Sequence, residues 1–93
     1  MKELSHIGLL GLKAKDVVTG FSGVVSSVSF DLYGCVQAVI SPGTDKDGQM
    51  QRGEWFDVAR IEITDARPVM EVPDFSQGYI AKGRKGCSDK PLP

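Results

Sequence analysis

The sequence is poor in the residues from which catalytic and metal sites are usually assembled. Its 93 residues contain one histidine, His6, and two cysteines, Cys35 and Cys87. A Ser-His-Asp or Cys-His arrangement would have to be built on His6 alone, and His6 lies in the N-terminal lead rather than beside a nucleophile. A disulfide scaffold or a zinc site needs more thiols at closer spacing. Both cysteines therefore read as reduced thiols of a cytoplasmic protein. Long apolar runs are also missing. Ile7-Gly-Leu-Leu-Gly-Leu12 is too short to span a membrane, and it lacks the basic flank and cleavage site of a signal peptide.

Positive charge is missing from a long internal stretch. No Lys or Arg occurs between Asp16 and Asp45. Residues 1–80 hold 7 Lys/Arg against 11 Asp/Glu, a balance of −4, and residues 81–93 hold 4 against 1, a balance of +3. The body is acidic and the last segment basic, so nucleic acid is a disfavoured partner for the body.

Apolar residues concentrate before Thr64, and the rest of the chain is rich in Pro, Gly and charge. The folded unit is thus nearer 60 residues than 93. A core of that size supplies roughly 3–5 kcal/mol, which makes a homo-oligomer the expected state.

Helical periodicity is absent beyond two turns, whereas short alternating runs recur. Residues 1–12 read as an arm or irregular lead. Lys13 to Val18 is a first strand, closed by Thr19-Gly20-Phe21-Ser22-Gly23, a reversal that needs at least one positive φ. Val24 to Leu32 alternates: Val24, Val28, Phe30 and Leu32 share one face with Ser26. Val25 is the one apolar residue on the other, with Ser27, Ser29 and Asp31. Asp31-Leu-Tyr-Gly34 is a turn. Cys35 to Ile40 is apolar on both faces apart from Gln37 and is expected at the centre of the sheet. After a polar loop from Ser41 to Gly53, Glu54 to Val58 is the fourth strand. Ala59-Arg60 suits a 3₁₀ turn, and Ile61 to Thr64 is the fifth strand. Five short, closely spaced strands predict a small closed barrel over residues 13–64.

Residues 65–81 hold prolines together with Val69, Met70, Val72, Phe75, Tyr79 and Ile80. That mixture reads as an extended arm that docks through those apolar residues on a barrel, its own or a neighbour's. Residues 82–93 are expected to be a disordered basic tail.

Motifs that imitate chemistry fail on their spacing. Gly20-Phe-Ser-Gly23 would need glycine at Val24 to be a nucleophile elbow, and it lies between two strands. Asp45-Lys-Asp-Gly48 starts like a calcium loop but places Met50 and Phe56 where glycine and glutamate are required. No cofactor or metal is expected, and the chain reads as a non-enzyme. Trp55 is either a core residue or an aromatic platform at the barrel mouth. In the second reading Tyr33, Arg52 and Arg60 frame a flat, nucleotide-like ligand or a partner's side chain beside it. Lys82, Arg84 and Lys85 form a basic patch, either a solvated tail or a salt-sensitive contact with nucleic acid or another subunit.

The stretch from Asp16 to Val25 resembles the KOW-type opening of SH3-like barrels, in which a Gly-bounded turn leads into a Val-Val pair. Continued through Asp31-Leu-Tyr-Gly-Cys-Val-Gln37 and Glu54-Trp-Phe-Asp57, residues 13–64 look like a group of small uncharacterised bacteriophage and prophage proteins. The resemblance implies a five-stranded SH3-like barrel and a phage setting. It implies a non-catalytic accessory protein in the host cytoplasm, for example a counter-defence one, that sequesters a small nucleotide-type signal or occupies a host protein. The alternative is a KOW-like module contacting nucleic acid or a ribosome or polymerase complex, although the motif region here has no positive charge after Lys15.

Overall fold

A computed structural model describes residues 6–75. The fold is a five-stranded, wholly antiparallel, open sheet. Its strands are β1 (Lys13–Asp16), β2 (Ser22–Phe30), β3 (Val36–Ser41), β4 (Glu54–Asp57) and β5 (Ile61–Asp65), with a 3₁₀ turn, Val58–Arg60, before β5. Their order is β4-β3-β2-β1-β5. No helix among the described residues is long and apolar enough to cross a membrane.

β1 is shorter than its apolar pattern predicts, because Asp16 ends it. The Asp16 carboxylate accepts from the Thr19 backbone N–H at 2.9 Å and from the Thr19 hydroxyl, and the Asp16 carbonyl accepts from Gly20 N. Those bonds turn the chain, so Val17 and Val18 are exposed turn residues. Gly20 supplies the positive φ, at 82°. Gly23 does something different: it lies inside β2, where a Cβ would collide with the Ser41 carbonyl and Pro42.

β2 corrects the expected face assignment. Val25 pairs with Ile40 and Ser27 with Val39, so Ser26 is an extra, unpaired residue. This β-bulge shifts the side-chain parity. Val25, 1% exposed, joins Ala14, Ala38 and Ile40 in the buried core, and Val28 packs against the same cluster. Leu32 lies beyond the strand and is exposed. β3 is central as expected, between β2 and β4, with Ala38, Val39 and Ile40 all buried.

The closed barrel is not formed: β4 and β5 are the two edges of the sheet. The three-residue 3₁₀ turn between them, capped by the Asp57 carboxylate on Ala59 N at 2.9 Å, redirects the chain without a ladder. The core is nonetheless shared, since Phe56, Val58, Ile61 and Ile63 all reach the Ala14–Val25–Ala38–Ile40 cluster.

From residue 6 onward the N-terminal lead is part of the fold. Residues 6–7 are helical and 8–11 continue as turns, and Leu9 and Leu10 pack on the core. Gly11 N donates to the Val25 carbonyl at 2.8 Å and Val25 N to the Leu12 carbonyl at 2.9 Å. Those bonds leave the apolar pair no free course. The loop from residues 41–53 is also more ordered than a polar loop requires. Thr44 and Met50 form a bridge, and Asp45 Oδ1 accepts from the backbone of Asp47 and Gln49.

Candidate functional site

The four residues expected to frame a flat ligand are divided by the fold. Arg60 is paired within the fold. Its Nε and Nη2 donate to Asp16 Oδ1 and Oδ2, both at 2.8 Å, and its guanidinium lies 5.5 Å from the centroid of the Phe56 ring. Phe56 in turn contacts Phe21, with centroids 5.4 Å apart. Asp16 is fully buried, and the Arg60 guanidinium together with the Thr19 donors holds its carboxyl well below the usual carboxylate range. Arg60 is raised by the same pairing. This two-pronged pair joins a buried carboxylate to a partly exposed guanidinium and ties the first turn to the start of β5.

Trp55 alternates with Phe56 on β4 and therefore projects from the opposite face, opposite Val39. It is 41% exposed, between the core and platform readings. Arg52 lies in the preceding loop and reaches Glu54 at 3.9 Å.

Tyr33 sits at the tip of the β2–β3 hairpin, beyond Phe30 and before Val36. Asp31 Oδ1 accepts from the backbone of Tyr33 and of Cys35, each at 2.9 Å. The turn is therefore fixed, and it presents Leu32 and Tyr33 at 89% and 87% exposure. The Cys35 N–H, followed by that of Tyr33, holds the Asp31 carboxyl below its ordinary value. Chiefly through its charge, the Asp31 carboxylate pushes the exposed Cys35 thiol up.

The arm supplies a different feature. Asp65 accepts from the Arg67 backbone at 3.0 Å and from its guanidinium at 3.2 Å, which turns the chain after β5. Val69 N then donates to the Gly11 carbonyl at 2.8 Å. Since Gly11 is itself bonded to Val25, residues 69–75 run beside the bulged part of β2. Between them lies a groove of about 300 Å³ whose floor is Leu10, Gly11, Val24, Val25 and Ser26. Val69, Met70, Glu71, Val72, Pro73 and Phe75 form its wall.

Of the arm residues singled out in the sequence, Val69, Met70, Val72 and Phe75 thus meet at one groove. Val69, Met70 and Phe75 stay at least half exposed. Tyr79, Lys82, Arg84, Lys85 and Cys87 lie outside the described residues. Sequence reasoning missed the floor. Its one available signal was Val25, the lone valine on an otherwise polar face, which marks a bulge rather than an exception.

No family model, no curated protein and no solved structure matches the chain.

Proposed function

We propose that this chain is a non-catalytic binding protein whose groove between β2 and the arm takes an extended apolar segment of a protein partner. The carrying observation is the groove itself, apolar on floor and wall and anchored by backbone bonds from Gly11 to Val25 and from Val69 to Gly11. Concave apolar sites with few polar groups are where proteins hold ligands. A groove lined almost wholly by apolar side chains suits an extended apolar segment better than a flat base, whose polar edges would find few partners there. In the phage setting implied by the resemblance, the partner would be a host protein. The strand order, with its 3₁₀ turn before β5, supports an SH3-like reading of the fold.

A nucleotide-type signal has less support, because Arg60 is committed to Asp16 and Trp55 faces away from Phe56 and Arg60. Nucleic acid has less still. Residues 6–75 carry 6 Lys/Arg and 10 Asp/Glu, a balance of −4, and backbone phosphates repel such a surface.

The test is a displayed library of extended peptides selected against the full chain, beside a panel of nucleotides measured by calorimetry. Peptide binding should fall at least tenfold in Ser26→Trp, which fills the groove, and in Val72→Glu, which charges its wall. Nucleotide binding that survives both substitutions and is lost in Trp55→Ala would sink the proposal.

A further inference from the structure

We infer that the groove takes the carboxyl-terminal end of its protein partner, with the terminal carboxylate held by Lys13 beside the groove. This rests on the reading of the groove as a peptide site and names the part of a peptide it receives. The groove does not stand alone on the sheet. A second hollow, also of about 300 Å³, adjoins it at Val24, which lines both. The chemistry of the second hollow is different: Lys13 and the hydroxyl-bearing Ser22, Ser41 and Thr64 line it.

The register of the sheet brings the two together. Val24 pairs with Lys13 of β1 on one side and with Ser41 of β3 on the other. Residues directly opposite each other share a face of the sheet, and neighbouring strands lie about 4.8 Å apart. A group seated at Val24 is therefore one strand spacing from Lys13, within reach of its flexible four-carbon stem. The Ser26 hydroxyl of the groove also meets the Ser41 hydroxyl of the hollow at 2.7 Å, so the two linings are joined.

Charge sets the direction. Among the described residues, Glu71 on the arm is the one charged side chain lining the groove, and Lys13 is the one lining the hollow. A carboxylate is repelled from the arm and drawn towards β1. Lys13 is exposed and makes no ion pair within 4 Å among the described residues. Asp65, opposite it in the ladder, is bonded instead to Arg67. Lys15, two residues along, is paired with Glu62 at 3.4 Å. A single carboxylate needs only one such ammonium and a few hydroxyl donors.

The test uses the full-length protein and apolar peptides selected from a library displayed with free carboxyl termini, each then made as the acid and as the amide. Amidation should weaken binding by about tenfold or more, the scale of one charge-assisted contact. Lys13→Met should weaken the acid by about as much and leave the amide unchanged. Lys13→Arg should keep most of the acid's affinity, and Lys15→Met all of it. The acid's advantage should shrink in 1 M NaCl. Equal affinity of acid and amide, with both lost in Ser26→Trp, would overturn the inference and leave the groove reading standing. An acid preference untouched by Lys13→Met would overturn the assignment to Lys13. Tighter binding of dodecanoate than of any selected acid would overturn the peptide terminus as the source of the carboxylate. No binding of either form would sink the groove reading, and the inference with it.

Discussion

Asp16 does three jobs with one carboxylate: it ends β1, caps the Thr19 turn and receives both prongs of Arg60. A buried carboxylate is tolerated only when its lone pairs are filled, and here they are. Asp16, Asp31 and Asp65 all titrate below their ordinary values, Asp16 through Arg60, Asp31 through the Cys35 N–H and Asp65 through Arg67. A carboxyl held lower in the folded than in the unfolded chain stabilises the fold above the unfolded value, about 3.9. That contribution is lost as pH falls through the folded value. The urea midpoint should therefore be level near neutrality and fall steadily below about pH 4. Asp16→Asn should lower the neutral midpoint far more than Lys15→Ala, which removes only the exposed Lys15–Glu62 pair at 3.4 Å, and should flatten the acid limb. An acid limb identical in Asp16→Asn and wild type would contradict this role. Cys35 gives a second residue-level check. In a Cys87→Ser background, Asp31→Asn removes the charge that raises the thiol, so iodoacetamide should alkylate Cys35 faster near pH 8.

At the scale of the element, β2 carries the information that simple alternation misreads. An alternating strand would bury Val24 with Val28, whereas the Ser26 bulge buries Val25 with Val28 and turns Val24 to the groove. Val25→Ala should cost about 2 kcal/mol, the loss of a fully buried valine's methyls together with the space left behind. Val24→Ala should cost roughly 1 kcal/mol or less, since Val24 is only partly buried. Chemical denaturation of the two variants decides between the alternating strand and the bulged one, because the order of the two losses reverses. The lead and the arm obey the same local logic. Leu9 and Leu10 close the core, and Gly11 offers one backbone edge to Val25 and its carbonyl to Val69.

At the scale of the molecule, the sheet's two edges are unpaired among the described residues while their side chains share one core. Stability should then be graded from the centre outward. Native-state hydrogen exchange is expected to be slowest at Val25 and at Ala38–Ile40 in β3, and faster in the edge strand β4. Uniform protection across all five strands would instead indicate an edge-to-edge ladder that this arrangement lacks.

The sequence alone determined the number and order of the strands, the central place of β3 and the 3₁₀ turn before β5. Each of these follows from local patterns: period-two alternation, an apolar run on both faces, and glycine or aspartate at the reversals. It also marked Val69, Met70, Val72 and Phe75 as an apolar set too rich for a linker. Only the tertiary structure decided which face of β2 is inside, because a bulge is defined by the partner strand and leaves no periodic trace. It alone paired Arg60 with Asp16 across 44 positions of sequence. Closure was likewise beyond local pattern. Whether β4 and β5 share a ladder depends on how the whole sheet bends, and here the chain is turned by Asp57 and the 3₁₀ turn before the edges can meet. The groove exists only because Gly11 brings β2 and the arm to one place, a convergence of three distant segments that no window of the sequence contains.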